Sequence, residues 1–252
     1  MTANSRTQVA DKEMNVVEHL SELRNRLIVT AIFFVIFFFV GFIFVKDIFY
    51  FFANDIDVKL NITSPADTIW VYFTIAGISA IVLTIPILSL QLWLFIRPGL
   101  TPHERNISLL YVPVVFLLFI FGLGFGYFMF VKLILPFLLG LNDDMFNELF
   151  TVDRYFRFLF RVTLPFALLF ELPIIIMFLT SLGIVTPSFL QRTRKYAFFI
   201  ILVVGALITP PDIVLQLVVA VPLYLLYEIS IYLSKIVYRR KQKKHVEFMK
   251  SN

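Results

Sequence analysis

Long apolar runs divide the chain into segments of membrane-spanning length. Residues 27–45, 68–96 and 107–131 contain no charged residue, and a fourth run at about 162–182 contains only Glu171. A membrane-spanning helix needs about 20 mostly apolar residues. Each of these four runs therefore predicts one transmembrane helix.

Two shorter apolar runs follow, at 196–211 and 213–227, with the sequence TPPD at the turn between them. Each would form roughly 24 Å of helix at 1.5 Å per residue, whereas the hydrocarbon core of a bilayer is about 30 Å thick. The second run continues past Glu228 toward Ser234. We therefore expect six transmembrane helices, the last two of them short, with a locally thinned bilayer beside them.

The distribution of lysine and arginine predicts the orientation. If the N-terminus is inside, only six of the 22 basic residues fall on the outer side, and the other 16 are inside. The six outer residues are Lys46, Lys59, Lys132, Arg154, Arg157 and Arg161. This positive-inside bias places both termini in the cytoplasm and the protein in the cytoplasmic membrane. The three outer arginines oppose the rule, and their spacing puts them on one face of a helix start.

Composition supports an all-α polytopic membrane protein, because 60% of the residues are hydrophobic and 15% are charged, against about 45–50% and about 25% in soluble domains. We expect a flexible N-terminal tail at 1–14, a six-helix transmembrane domain at 15–238 and a basic cytoplasmic tail at 239–252 that contacts lipid headgroups.

The net charge of +5 is explained by membrane orientation, so no nucleic acid is expected. With no cysteine and three scattered histidines, we expect neither a metal nor a cofactor.

Two acids lie where the predicted helices meet the inner membrane surface. Glu22 shares a helix face with Glu18 and Arg26 just before the first span, and an ordinary ion pair with Arg26 would also explain it. Glu104 follows a proline-rich loop at the start of the third span, where capping of the helix would also explain it. Together, the two carboxylates would suit a cationic ligand, above all guanidinium groups, which pair with carboxylates in a bidentate manner.

Three further acids lie in or beside the last spans. An ionisable residue inside a membrane is costly and is a functional candidate by default, which applies to Glu171 and, nearer the inner end, to Glu228. The alternative for both is a hydrogen-bonded group that fixes packing. Pro173 would break the helix beside Glu171. Asp212 in TPPD is most simply the N-cap of the sixth helix.

Four motifs in this order resemble the TatC family, the signal-peptide receptors of the twin-arginine protein translocase. They are EHLSELRNRL, FIRPGLTPHERN, FELP and TPPD, and the resemblance covers roughly residues 15–238. It implies a membrane receptor that binds signal peptides with consecutive arginines at the cytoplasmic face. It also implies export of folded proteins by the proton-motive force, together with TatA-like and possibly TatB-like single-span partners. We further expect self-association.

The resemblance assigns roles to individual residues. It implies that Glu22 and Glu104 bind the signal-peptide arginines, and that Glu171 and Asp212 act in translocation or partner contact. The remaining positions that match the family's signal-peptide site are Arg24, Phe95, Pro98 and Arg105. The chain departs from the family at Arg97, where an uncharged residue is common, and at Asn106, where many relatives have arginine. An added positive charge at Arg97 would weaken arginine binding unless it points away.

Two other functions are conceivable for a membrane protein with these residues. A proton-coupled small-molecule transporter would use Glu171 as a proton site, but the chain has no internal repeat and no pair of broken helices. An intramembrane enzyme would need a nucleophile or metal motif, and the sequence has no GxSxG, no paired membrane aspartates and no cluster of metal ligands. We therefore expect a binding protein with no catalytic residues.

Overall fold

The regular structure is helical, as the apolar runs predict. The computed structural model describes residues 3–53, 60–97, 111–140, 151–209 and 212–251, and their side chains except those of 3–17, 19 and 243–251. The helices in these ranges are α1 Ala3–Ile43, α2 Val45–Ala53, α3 Pro65–Ile96, α4 Tyr111–Met129, α5 Leu135–Gly140, α6 Val152–Leu169, α7 Leu172–Leu182, α8 Pro187–Arg192, α9 Arg194–Ile208 and α10 Ile213–Ser251. A π-helical turn, Phe130–Ile134, joins α4 to α5.

Within the described ranges, five helical stretches are long and apolar enough to cross a membrane. They are Leu20–Ile43, Pro65–Ile96, Tyr111–Gly140, Val152–Leu182 and Ile213–Gln242. The chain is therefore a multi-pass membrane protein. The fifth predicted span corresponds to α9, which has 15 residues and is shorter than these five. The count of six spans and the orientation of the termini stay predictions.

The prediction that both of the last helices are short is wrong for α10, which has 39 residues. The helix continues past Glu228, whose carboxylate is bound by Arg194 and Tyr224. Regular helix also reaches into both segments that were expected to be tails, since α1 begins at Ala3 and α10 ends at Ser251. The domain boundaries themselves stay predictions.

Contacts between helices define the two ends of the bundle. Arg26 of α1 donates a hydrogen bond of 3.3 Å to Gln91 of α3, so the start of the first span lies beside the end of the second. We call this the near end. At the opposite, far end, Asn61 forms an isolated bridge with Thr151. The chain thus alternates direction from one span to the next, as short connections require.

Two glycines of α4 allow it to pack closely against α6. A Cβ atom at Gly122 would lie 2.7 Å from the Cα of Ala167, and one at Gly126 would lie 2.9 Å from the Cα of Thr163. Both obstacles are backbone atoms of α6, which cannot rotate away. This small-xxx-small spacing lets two transmembrane backbones approach closely, and the contact replaces the hydrophobic driving force that lipid does not supply.

We predict that Gly122→Ala lowers the free energy of unfolding in detergent by about 1–3 kcal/mol, because the added methyl group overpacks the contact between α4 and α6. Gly124→Ala is the matched control. Its added Cβ would meet nothing within 4 Å, so the better helix propensity of alanine should leave stability unchanged or slightly raised. Equal melting of the two variants would show that α4 and α6 are not closely packed.

Candidate functional site

At the near end, Glu22 is held by a short chain of polar contacts. Its Oε1 atom accepts a hydrogen bond of 3.1 Å from Nη2 of Arg26, and Nη1 of Arg26 donates to Oε1 of Gln91 at 3.3 Å. The side chains of Glu22 and Arg26 are 34% and 33% exposed. No described residue donates to Oε2 of Glu22. Arg26 therefore orients the carboxylate through one oxygen, and the other oxygen has no partner among the described residues.

The predicted ion pair between Glu22 and Arg26 is confirmed. A pair at this spacing and exposure contributes only a few tenths of a kcal/mol, about 0.3–0.5 kcal/mol, so stability alone gives little reason for it. Gln91, which binds Arg26, was not among the residues predicted for the site. The signal was present, since Gln91 is the single amide side chain in the apolar run 68–96, and a polar residue in a span normally faces the bundle interior.

Phe95 and Arg97, two residues near the end of α3, lie on different sides of the helix. Phe95 follows Gln91 by one helical turn and so lies on the same side of α3. Arg97 lies with its guanidinium carbon 5.5 Å from the ring centre of Trp93. Because Trp93 is two residues from Gln91, it lies about 200° around the helix. The positive charge of Arg97 is therefore held away from Glu22, which removes the conflict that the sequence raised.

The remaining predicted binding residues are not brought to Glu22. Arg24 is exposed and lies about 200° around α1 from Glu22. It lines a shallow apolar depression that includes Leu20 and Leu27. Pro98, Glu104 and Arg105 lie outside the described residues. Their roles in binding stay predictions.

A second candidate position is Glu171, at the break between α6 and α7. The predicted break is present: α6 ends at Leu169, α7 begins at Leu172, and Pro173 occupies the first turn of the new helix. Glu171 is only 6% exposed. It lines a cavity of about 310 Å³ whose other walls include Ser89, Trp93 and Tyr111.

Neither carboxyl oxygen of Glu171 has a hydrogen-bond partner among the described residues. Buried polar groups in proteins are nearly always paired, and an unpaired one costs free energy that folding does not recover. The alternative of a hydrogen-bonded glutamate that fixes packing therefore finds no support in the described part of the chain. Glu171 remains a candidate for contact with a group from outside.

Glu228 has a structural environment of the opposite kind. Its Oε2 atom accepts a hydrogen bond of 2.8 Å from Arg194 at the start of α9, and its Oε1 atom accepts one of 3.0 Å from Tyr224. Both carboxylate oxygens are thus occupied. Glu228 therefore fits the alternative of a hydrogen-bonded group that fixes packing. Its bond to Arg194 links α9 to α10.

Asp212 caps α10 as predicted. Its Oδ1 atom accepts a hydrogen bond of 2.9 Å from the backbone N–H of Leu215, three residues further along the chain. This is the usual geometry of an N-cap. Pro210 and Pro211 lie outside the described residues. The cap explains the residue locally, and any role of Asp212 in translocation stays a prediction.

We predict that Glu171→Met raises the free energy of unfolding in detergent by about 1–3 kcal/mol, because it removes a buried carboxyl group that has no partner. Thr180→Val is the control. The Thr180 hydroxyl is fully buried and lies 2.8 Å from that of Ser234, so this isosteric change should cost about 1–2 kcal/mol. Thermal unfolding of both variants tests the contrast. A Glu171→Met variant that melts below wild type would contradict it.

Comparison with known proteins gives this site a context. The sequence model of the TatC family, described as "Sec-independent protein translocase protein (TatC)", matches residues 18–222. The chain is 44% identical to TatCd of Bacillus subtilis over 232 residues. This alignment covers 92% of this chain and 96% of TatCd. It is 44% identical over 241 residues to TatCy of the same organism. The TatC of Aquifex aeolicus is 36% identical over 236 residues.

The fold agrees with the sequence. A crystal structure titled "Twin Arginine Translocase Receptor- TatC" superimposes with a TM-score of 0.78 and 36% identity, covering 87% of this chain and 99% of that one. The same receptor in the detergent DDM gives a TM-score of 0.75. The resemblance inferred from the four motifs is thereby confirmed: this chain belongs to the TatC family of Sec-independent protein translocase proteins.

Proposed function

We propose that this protein is the receptor subunit of a twin-arginine translocase and that it binds the arginine pair of a signal peptide at the near end of the bundle. The observation that carries the proposal is the oriented carboxylate of Glu22, which is about one-third exposed and whose second oxygen has no partner among the described residues. It occurs in a chain that is similar over most of its length to a solved twin-arginine translocase receptor.

The recognition step follows from the chemistry of the two ions. A guanidinium group presents N–H donors in a planar fork that matches a carboxylate, and a lysine ammonium group cannot reproduce this geometry. Arg26 already occupies one oxygen of Glu22. An incoming arginine would use the other oxygen, with Glu104 as the second acceptor. Phe95, Pro98, Arg24 and Arg105 would shape the surrounding surface.

The proposal includes a direction of transport. The excess of lysine and arginine at the near end supports a cytoplasmic position for that end and for both termini, in the cytoplasmic membrane of the cell. Signal peptides would then bind from the cytoplasm, and folded clients would leave at the far end, driven by the proton-motive force. The described residues contribute binding and positioning to this process, with no bond made or broken.

The partners we propose are TatA-like, and possibly TatB-like, single-span proteins, and further copies of this chain. Helix α9 supports a place for a short partner helix. Its 15 residues span about 22 Å at 1.5 Å per residue, which is less than the hydrocarbon core of about 30 Å. A locally thin bilayer beside α9 would favour a partner whose own span is short. The alternative of a small-molecule transporter has no support from the comparisons.

We predict that Glu22→Gln weakens binding of a twin-arginine signal peptide to the purified full-length chain by about 10- to 150-fold, because a hydrogen bond to a charged group contributes about 1.5–3 kcal/mol. Glu104→Gln should have a similar effect, and a twin-lysine peptide should bind wild type more weakly. Added salt should weaken the wild-type complex, since docking is electrostatic. Fluorescence anisotropy of a labelled peptide measures all of these.

Glu18→Gln is the matched control for this experiment. Glu18 lies one turn before Glu22 on the same helix and is exposed, so its removal changes the net charge equally without touching the proposed contact. We expect only a small loss of affinity. If Glu18→Gln weakens binding as much as Glu22→Gln, the peptide responds to the overall negative potential, and a specific site at Glu22 is excluded.

A further inference from the structure

Three arginines form a ridge along α6 at the far end of the bundle. Arg154, Arg157 and Arg161 are all exposed, and their spacing places them within about 60° of one another around the helix. The opposite side of α6 is buried. It carries Tyr155, Phe156, Leu159, Phe160, Val162, Thr163 and Phe166. The predicted single face is thus confirmed, and we call it the arginine ridge.

The three arginines differ in what they contact. Nε of Arg157 donates to both carboxylate oxygens of Asp153, at 2.8 and 2.9 Å. Its guanidinium also lies 5.4 Å from the ring centre of Trp70, a distance that allows a cation–π interaction. Arg154 and Arg161 make no ion pair or hydrogen bond within the described part of the chain. Within the described residues, the ridge therefore carries two positive charges without an ionic partner beside one that is fixed in place.

The position of the ridge along the helix matters. Arg161 lies one helical turn beyond Arg157, about 6 Å along the axis, and directly before the apolar run that begins at about residue 162. Beside it, Trp70 and Phe73 of α3 are 57% and 49% exposed. Exposed large apolar side chains on a spanning helix face lipid, and tryptophan concentrates at headgroup level. The ridge therefore runs from the headgroup region toward the acyl chains.

Arginines at this boundary of the membrane attract anionic lipid headgroups. We propose that the arginine ridge is a binding site for an anionic phospholipid of the far leaflet. The lipid phosphate lies between Arg154 and Arg161, with the Arg157–Trp70 pair as one wall and an acyl chain along Phe73. Arginine suits this ligand because its donors pair with phosphate oxygens in a bidentate manner.

This inference is independent of signal-peptide recognition at the near end. It also accounts for the three basic residues that oppose the positive-inside rule, because a lipid anion supplies their counter-charge. An acidic stretch of polypeptide is the other possible source of negative charge. The lipid is favoured because the side chains beside the ridge are apolar and exposed, and such a surface fits acyl chains better than a charged peptide.

Tryptophan fluorescence offers a local test, because the chain has only two tryptophans. In Trp93→Phe, Trp70 is the single emitter and lies against the ridge. The variant is placed in nanodiscs of phosphatidylcholine that contain a minority of phosphatidylglycerol, with bromine-labelled acyl chains on one lipid or the other. Stronger quenching by the brominated anionic lipid measures its enrichment at Trp70. We expect about fivefold enrichment per unpaired arginine, from about 1 kcal/mol for each charge near a membrane surface.

The variant Arg154→Gln/Arg161→Gln on this background should reduce the enrichment to about that of a uniform mixture. The control Arg192→Gln/Lys195→Gln removes two exposed charges at the near end and should retain it. Equal loss in both variants would show a general attraction of charge and overturn the site. Loss of the enrichment on addition of an acidic peptide would assign the ridge to polypeptide instead.

Native mass spectrometry of the chain with both tryptophans intact provides a second measurement, in case Trp93→Phe does not fold. Wild type should retain phosphatidylglycerol more strongly than phosphatidylcholine, and Arg154→Gln/Arg161→Gln should not. Soluble inorganic phosphate should fail to displace the lipid, since it lacks acyl chains. Equal retention of the two lipids by wild type would overturn the proposal.

Discussion

The absence of water from the hydrocarbon core is the constraint on which the structure depends. Every backbone N–H and C=O group in that layer must find its partner within the protein, which leaves helices as the solution for a chain of this kind. Helix α3 accordingly continues unbroken for 32 residues. The fourth span is interrupted between α6 and α7, and there Glu171 is buried in protein and faces a cavity. The exception thus occurs where lipid does not reach the backbone.

The same constraint sorts the ionisable side chains into two groups. Glu22 with Arg26, Glu228 with Arg194, and Asp153 with Arg157 form pairs that offset part of the cost of their position. Glu171, which is buried, and Arg154 and Arg161, which lie on α6, are among the side chains that have no ion pair or hydrogen bond in the described part of the chain. Charged groups near lipid are normally paired. The unpaired groups are therefore the candidates for contact with a molecule from outside the chain. Glu22 has features of both groups, because Arg26 binds one of its oxygens and no described residue binds the other.

Local features of this protein could be predicted from sequence, and contacts between distant segments could not. The spans follow from apolar runs, the break beside Glu171 from Pro173, and the cap at Asp212 from its place before a helix. The bond from Arg26 to Gln91 joins residues 65 positions apart, and that from Arg194 to Glu228 joins residues 34 apart. The proposed role of Glu22 rests on the family resemblance, because its ion pair with Arg26 alone fits an ordinary helix surface.

The central claim is that Glu22 contacts an arginine of the signal peptide directly. A double-mutant cycle tests it, with Glu22→Gln on the protein and each peptide arginine in turn replaced by glutamine. Direct contact predicts that one arginine couples to Glu22 by about 1.5–3 kcal/mol, as expected for a hydrogen bond to a charged group, whereas the other couples weakly. If the effects of Glu22→Gln and of both arginine replacements simply add, Glu22 does not hold either arginine, and the receptor site must be sought elsewhere on the near end.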